Sequence, residues 1–156
     1  MSDDSVAVPP EASGRPSALP AGDKPFTVLV YSDDPATRRR IVLAVGPRPA
    51  KDLPRVELHE VATEPMVHRT ISAGGIDLAI LDGEAWPAGG MGICRQLKDE
   101  QAYPPPVIVV VGREDDRWLA TWSLADGVIA HPIDPSMLAN LVVTMLRAEH
   151  SQLPVR

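Results

Sequence analysis

The side chains best suited to chemistry stand directly after short apolar runs. Carboxylates in such places can accept a group or hold a divalent cation, and a histidine can exchange a proton near neutral pH. The residues concerned are Ser32, Asp33 and Asp34 after FTVLVY, Asp82 and Glu84 after IDLAIL, and His131 after GVIA. If the runs are parallel strands of one sheet, these side chains gather at the edge where the strands end.

Apolar runs and amphipathic stretches alternate from residue 26 onward, which is typical of βα repeats around a parallel sheet. The sequence predicts strands at 26–31, 55–60, 76–81, 106–111 and 127–130, and helices at 35–46, 64–74, 91–101, 113–126 and 134–150. The charged face of the second strand favours an edge position, and the apolar third strand favours the centre. This strict alternation predicts an α/β protein with a flavodoxin-like, doubly wound five-stranded parallel sheet, (βα)5.

The chain of 156 residues divides by composition into three segments. Residues 1–25 are rich in Pro, Ala, Ser, Gly and Asp, a composition that buries too little apolar surface to order itself, and they predict a disordered arm. Residues 26–148 form the one predicted domain, and residues 149–156 are a predicted C-terminal tail.

Composition also excludes several classes of function. A net charge of −6 without a basic block argues against a nucleic-acid partner, because phosphate binding needs clustered Lys and Arg. The single cysteine, Cys94, excludes a disulfide framework, so a reducing cytoplasm is the expected compartment. Apolar windows fall well short of the ~20 residues of a membrane span, so direct membrane insertion is not expected.

Four strings of the sequence resemble a known family in their order and spacing. They are VLVYSDDPATRRRI, IDLAILDGEAWP with MGICRQLK, PPVIVVVGRED, and ADGVIAHP. Between residue 26 and roughly residue 147 the chain resembles a response-regulator receiver domain, the phosphoacceptor module of two-component signalling. The resemblance implies that Asp82 is the phosphoacceptor candidate and that Pro132 follows a cis peptide bond.

The same resemblance implies a degenerate site. The family's two magnesium-binding acids fall on Ser32 and Asp33, with Asp34 just outside and the backbone near Glu84 completing the acidic pocket, so Asp33 and Asp82 leave a weak magnesium site at most. Further departures fall where the family has a switch hydroxyl (Val111), a switch aromatic (Val128) and a lysine (His131). Hydrogen bonds to a charged group contribute about 1.5–3 kcal/mol each, whereas reversing a two-state switch takes about 5.5 kcal/mol. Loss of both the hydroxyl and the ammonium therefore removes most of the free energy that a phosphoryl group could use to drive the switch.

Among receivers, the sequence is most similar to the atypical stand-alone proteins of actinobacteria. What is known of the mycobacterial members implies an association with the respiratory NADH:quinone oxidoreductase, complex I. The expected location is therefore the cytoplasm, at the cytoplasmic side of a membrane complex.

Three tryptophans are unevenly placed in a chain that is only 4% aromatic. Trp118 and Trp122 lie four residues apart on the fourth predicted helix and share a face, and Trp86 lies in the loop after Asp82. Tryptophan is a common interface anchor, so these residues and the N-terminal arm are the predicted contacts with a protein partner. The alternative is that Trp118 or Trp122 covers the sheet as part of the core.

Three hypotheses follow. The first is a non-enzymatic receiver-like protein that binds its partner without phosphorylation and needs no cofactor. The second is a phosphoacceptor or phosphorelay protein that uses Asp82. The third, a nucleotide or flavin binder, lacks a glycine-rich phosphate loop after the first strand. A structural alternative for Asp82 is that it caps the glycine-rich loop by accepting hydrogen bonds from backbone N–H groups.

Overall fold

A computed structural model describes residues 24–152, which form one five-stranded sheet in the order β2-β1-β3-β4-β5 with every neighbouring pair parallel. The strands are β1 (Phe26–Tyr31), β2 (Val56–Val61), β3 (Leu78–Asp82), β4 (Val107–Val111) and β5 (Gly127–Ala130). The edge position of β2 and the central position of β3 are as predicted. β3 begins two residues late because Asp77 pairs with β1 through its side chain, which accepts a hydrogen bond from the Thr27 N–H at 2.8 Å.

Helices follow the strands as α1 (Pro35–Val45), α2 (Glu64–Ala73), α3 (Gly90–Glu100), α4 (Arg117–Trp122) and α5 (Pro135–Gln152). The helix predicted for residues 113–126 is wrong in length. Residues 114–116 form a 3-10 turn instead, and the helix ends at Trp122, two residues before Leu124, which adopts a positive φ of 66°. α5 continues to Gln152, so the first four residues of the predicted tail are helical.

Side-chain alternation along the strands produces two apolar layers. Val28 and Val30 face α1 and α5, while Leu29 and Tyr31 face the layer that contains α2, α3 and α4. Every residue of β3 and β4 is buried. The carboxyl ends of β1, β3, β4 and β5 therefore lie side by side on a rigid support, and the predicted arm, residues 1–23, lies outside the described residues.

Candidate functional site

Asp82, the last residue of β3, is the buried carboxylate at the centre of the strand ends, with 3% of its surface exposed. Oδ2 accepts a hydrogen bond from the Ser32 hydroxyl at 2.8 Å. Oδ1 accepts one from the Glu84 N–H at 2.9 Å and lies 3.3 Å from His131 Nε2. Both oxygens are thus engaged by the chain itself, which is what lets a carboxylate stay buried. The Glu84 bond is the loop-capping contact considered from the sequence.

Ser32 links Asp82 to the start of α1. The residue is fully buried directly after β1, and its hydroxyl donates to Asp82 while accepting a hydrogen bond from the Asp34 N–H at 3.1 Å. One hydroxyl can do both because it carries a donor and two acceptor lone pairs. An acid at this position has no proton to donate at neutral pH, so the pairing depends on serine.

The two acids after Ser32 have separate structural roles. Asp33 lies at the mouth of the site, where its Oδ1 accepts a hydrogen bond from the Trp86 N–H at 3.0 Å. Asp34 is the N-cap of α1 and accepts from Ala36 N and Thr37 Oγ1, both at 3.0 Å. The Ala36 hydrogen bond, followed by that of Thr37, lowers the pKa of the Asp34 carboxyl. The Asp34 carboxylate is thus used by the helix, and its assignment to the acidic pocket stays a prediction.

Glu84 reaches from the β3–α3 loop to the end of β4. Its backbone N–H holds Asp82, while its carboxylate lies over Gly112. A Cβ atom built on Gly112 would stand 2.7 Å from Glu84 Cδ, closer than such atoms approach in proteins. Glycine is required here for the carboxylate to take this position.

His131 stands directly after β5, where the resemblance expects a lysine. Its ring contacts Asp82, and the following bond to Pro132 is cis, as predicted. A second cis bond joins Trp86 and Pro87, which the sequence does not predict. An open cleft of about 480 Å³ begins at His131 and is lined by Arg40, Gly112, His131, Pro132 and Ile133.

Valine stands at the two remaining positions where the resemblance expects switch side chains. Val111 is fully buried at the end of β4, opposite Ala130 of β5. Val128 is half-buried on β5. Neither side chain offers a hydroxyl or an aromatic ring, so neither can report a change at Asp82 by forming a hydrogen bond.

Comparison with known proteins identifies the family. No family model matches the chain. Two uncharacterized response regulatory proteins from Mycobacterium tuberculosis, MT3230 of strain CDC 1551 / Oshkosh and Rv3143 of strain H37Rv, are each 53% identical over 130 residues. The match covers 83% of this chain and 98% of each relative. The chain belongs to the response-regulator family.

Solved structures agree on the fold of this receiver domain. A signal receiver domain of a histidine kinase from Syntrophus aciditrophicus superimposes with a TM-score of 0.67 at 20% identity, over 84% of this chain and 97% of that one. A two-component response regulator from Clostridium difficile gives 0.65 at 13% identity, over 80% and 98%. The architecture is the CheY-like receiver fold, and Asp82 ends the same central strand that the resemblance assigns to the phosphoacceptor.

The receiver family implies a magnesium ion beside the phosphoacceptor, and the residues here fit it poorly. Magnesium prefers six oxygen ligands with near-octahedral geometry. Both oxygens of Asp82 are engaged, one oxygen of Asp33 holds a backbone N–H, and Ser32 occupies the place of the other acid. Within residues 24–152 there is no cluster of three or more His, Cys, Asp or Glu suited to a metal. The weak site at Asp33 and Asp82 stays a prediction.

Tyr31 is a structural residue of the receiver site that sequence reasoning missed. Its hydroxyl donates to the Ala88 carbonyl at 2.5 Å, which ties the glycine-rich loop to β1. Burial, and then the nearby carboxylates Asp33, Glu64 and Asp82, raise the pKa of Tyr31, so the hydroxyl keeps the proton it donates. A tyrosine as the last residue of an apolar strand was the available signal, because a buried tyrosine needs a partner for its hydroxyl.

The tryptophans of the receiver all face outward. Trp86, Trp118 and Trp122 are 77%, 68% and 55% exposed, so the alternative that Trp118 or Trp122 belongs to the core is wrong. Arg95 of α3 holds the end of α4 by donating to the Trp122 carbonyl at 2.8 Å, with its guanidinium 5.6 Å from the ring centroid. The two α4 tryptophans and the exposed Leu124 form what we call the α4 surface.

None of the helices in the described part of the receiver combines the length and the apolar character that crossing a bilayer requires.

Proposed function

We propose that this receiver is a non-enzymatic protein that binds a protein partner independently of phosphorylation, as an accessory or regulatory subunit of a larger assembly. The observation that carries the proposal is the engagement of both Asp82 oxygens by Ser32, Glu84 and His131. A phosphoacceptor must present one free oxygen to its donor, and here that oxygen has first to leave a buried hydrogen bond.

The absence of switch side chains supports the same proposal. A phosphoryl group on Asp82 would have only the side chains of Val111 and Val128 at the two switch positions. No hydroxyl or aromatic ring would therefore move toward it. His131 offers a single ring nitrogen in place of a lysine ammonium with three donors. Each missing charged hydrogen bond removes about 1.5–3 kcal/mol from the roughly 5.5 kcal/mol that a full switch requires.

The α4 surface supports the choice of a protein as partner. Trp118 and Trp122 leave large apolar rings in water on a helix of six residues. Exposed apolar groups in a cluster mark interaction sites, and tryptophan is enriched among residues that dominate binding energy. The proline-rich arm at residues 1–25 is the second proposed contact, since proline loses little entropy on ordering. Trp86, on the neighbouring loop, is the third.

The proposed assembly is the respiratory NADH:quinone oxidoreductase, with the receiver at its cytoplasmic side. Support for this partner comes from the resemblance to mycobacterial stand-alone receivers and from the mycobacterial relatives at 53% identity.

The second candidate is a phosphoacceptor or phosphorelay protein using Asp82. It is favoured by one observation, the presence of an aspartate at the end of β3 in a protein whose relatives are response regulatory proteins. In this reading Asp33 and Asp82 would share the magnesium ion.

Intact-mass measurement separates the two candidates. The full chain is incubated with magnesium and phosphoramidate, with Asp82→Asn as the matched control, and hydrogen exchange of α4 is followed in parallel. We expect slow labelling over hours and unchanged exchange in α4. Rapid addition of one phosphoryl group, absent from Asp82→Asn and accompanied by altered exchange or oligomeric state, would establish the phosphoacceptor instead.

A further inference from the structure

The Glu84 side chain lies over the residue that follows β4, at the rim of the cleft that His131 lines. Its carboxylate lies over Gly112, with both oxygens within 2.9 Å of the place a Cβ would take. Gly112 follows Val111 and lines the cleft that His131 also lines, and His131 contacts Asp82. The backbone of Glu84 is bound to Asp82 Oδ1, so the side chain starts from a point beside the acceptor.

We propose that the Glu84 carboxylate guards Asp82 and excludes anionic phosphoryl donors from it. This inference rests on the proposed function and names a cause for it. A donor such as phosphoramidate carries negative charge on its phosphoryl oxygens, and on the β4 side it meets the Glu84 carboxylate over Gly112. Like charges repel, and the Glu84 carboxylate lies over Gly112, which lines the same cleft as His131, the residue that contacts Asp82.

Gly112 makes the guard removable without touching Glu84. A methyl group at this position would meet the Glu84 carboxyl at 2.7 Å, so Gly112→Ala must displace the carboxylate. Glu84 is exposed, and its carboxyl is the free end of a flexible chain, so displacement leaves the fold intact. Gly112→Ala and Glu84→Gln are therefore two independent ways to open the same approach, one by position and one by charge.

Labelling kinetics with phosphoramidate and magnesium measure the effect. In the reaction an Asp82 oxygen attacks phosphorus, an O–P bond forms as the P–N bond breaks, and ammonia leaves with the protons that the zwitterionic reagent already carries on nitrogen. Rates are obtained by intact mass for the wild type, Glu84→Gln, Gly112→Ala and a matched control. The control is Asp115→Asn, which removes an exposed negative charge from the neighbouring 3-10 turn.

We expect Glu84→Gln and Gly112→Ala each to accelerate labelling at least tenfold, with Asp115→Asn within twofold of the wild type. Thermal unfolding of each variant checks that it is folded, and Glu84→Ala serves as a second charge-removing variant. Failure of either the charge or the position variant to accelerate labelling would overturn the inference, as would equal acceleration by Asp115→Asn. A wild type that labels rapidly would instead overturn the proposed function, so the two failures are distinct.

Discussion

The Asp82 site and the α4 surface lie at neighbouring strands but differ in whether their side chains find partners within the fold. Around Asp82, the polar groups are buried and find partners within the chain, from Ser32 across the sheet to His131. On the α4 surface, the apolar rings of Trp118 and Trp122 remain in water. The polar groups of the Asp82 site therefore have their partners within the chain, whereas the apolar rings of the α4 surface do not.

The difference indicates where an external partner gains free energy. A ligand at Asp82 must first replace hydrogen bonds that already exist, whereas a partner at the α4 surface buries apolar area at roughly 25 cal/mol per Å² with little to break. The proposed phosphorylation-independent binding rests on this contrast. The experiments below break or sharpen this contrast, starting with the largest expected effect.

Ser32→Asp tests whether the Asp82 site is closed by neutral pairing. The variant places a second buried carboxylate against Asp82, and two such charges ~4 Å apart repel by about 4 kcal/mol at an effective dielectric of 20. We expect a loss of that order in the free energy of unfolding in the presence of a chelator, with part of it restored by magnesium. Urea denaturation with and without magnesium measures both.

Ser32→Ala is the matched control for that experiment. It removes the hydroxyl donor to Asp82 without adding charge, which costs about 1.5–3 kcal/mol for a buried hydrogen bond to a charged group. Its stability should not respond to magnesium. A response equal to that of Ser32→Asp would show that the metal binds elsewhere.

Cys94 tests whether the layer beneath the α4 surface is as closed as the Asp82 site. The residue is buried on α3, and burial raises the pKa of its thiol to about 11. The hydrogen bond with Ser123 lowers this pKa, but by less than burial raises it. At pH 7.5 it should carry roughly 300 times less thiolate than a free cysteine with a pKa of about 8.5. Reaction with a disulfide reagent should await unfolding in urea. Prompt reaction of the native protein would mean that α4 opens readily.

Arg95→Ala tests how the α4 surface is held in place. The change removes the hydrogen bond to the Trp122 carbonyl and the contact with its ring, together worth about 1 kcal/mol at a partly exposed site. We expect faster hydrogen exchange in α4 and unchanged exchange in β3. Arg95→Lys keeps the charge but not the planar fork and should behave as the alanine variant does. Hydrogen exchange equal to that of the wild type would show that Arg95 does not hold the α4 surface in place.

Asp52→Asn tests a place remote from both regions, and we expect the smallest effect. Asp52 pairs with Arg147 through two hydrogen bonds of 2.8 and 2.7 Å, and the Arg147 hydrogen bond lowers the pKa of the Asp52 carboxyl. A carboxyl whose pKa is lowered on folding stabilises the fold at pH values above its unfolded pKa of about 3.9. This stabilisation is lost as the pH falls through the folded-state pKa. Thermal unfolding of Asp52→Asn should therefore differ slightly from the wild type at pH 7 and coincide with it near pH 2. A difference that persists at pH 2 would contradict this.

Local patterns were sufficient for most of the scaffold. The runs at 26–31 and 127–130 have the observed bounds because serine, aspartate, glycine and the His-Pro pair punctuate them. The start of α1 at Pro35 after an aspartate cap, and its end at Gly46 with φ 69°, also follow from residue type. The short α4 did not, because an acidic first turn suits a 3-10 turn as well as a helix.

The contacts of the site depend on distant parts of the chain. Asp33 and Asp34 are adjacent acids, and only the approach of Trp86 to one and the turn of α1 to the other separates their roles. The Ser32–Asp82 pair joins residues 50 positions apart. The position of Glu84 over Gly112 likewise depends on how two loops meet, which no local pattern encodes.

The most direct test of the central claim compares damage to the two regions in one measurement. The full chain, tagged and expressed in its native cell, is followed by sedimentation as the fraction that travels with a large assembly, for the wild type, Asp82→Asn and the double variant Trp118→Ala, Trp122→Ala. Tyr103→Ala, which removes an exposed aromatic ring from the loop before β4, is the matched control. We expect Asp82→Asn and Tyr103→Ala to sediment as the wild type does and the double tryptophan variant to leave the assembly. Release of Asp82→Asn with retention of the tryptophan variant would contradict the claim.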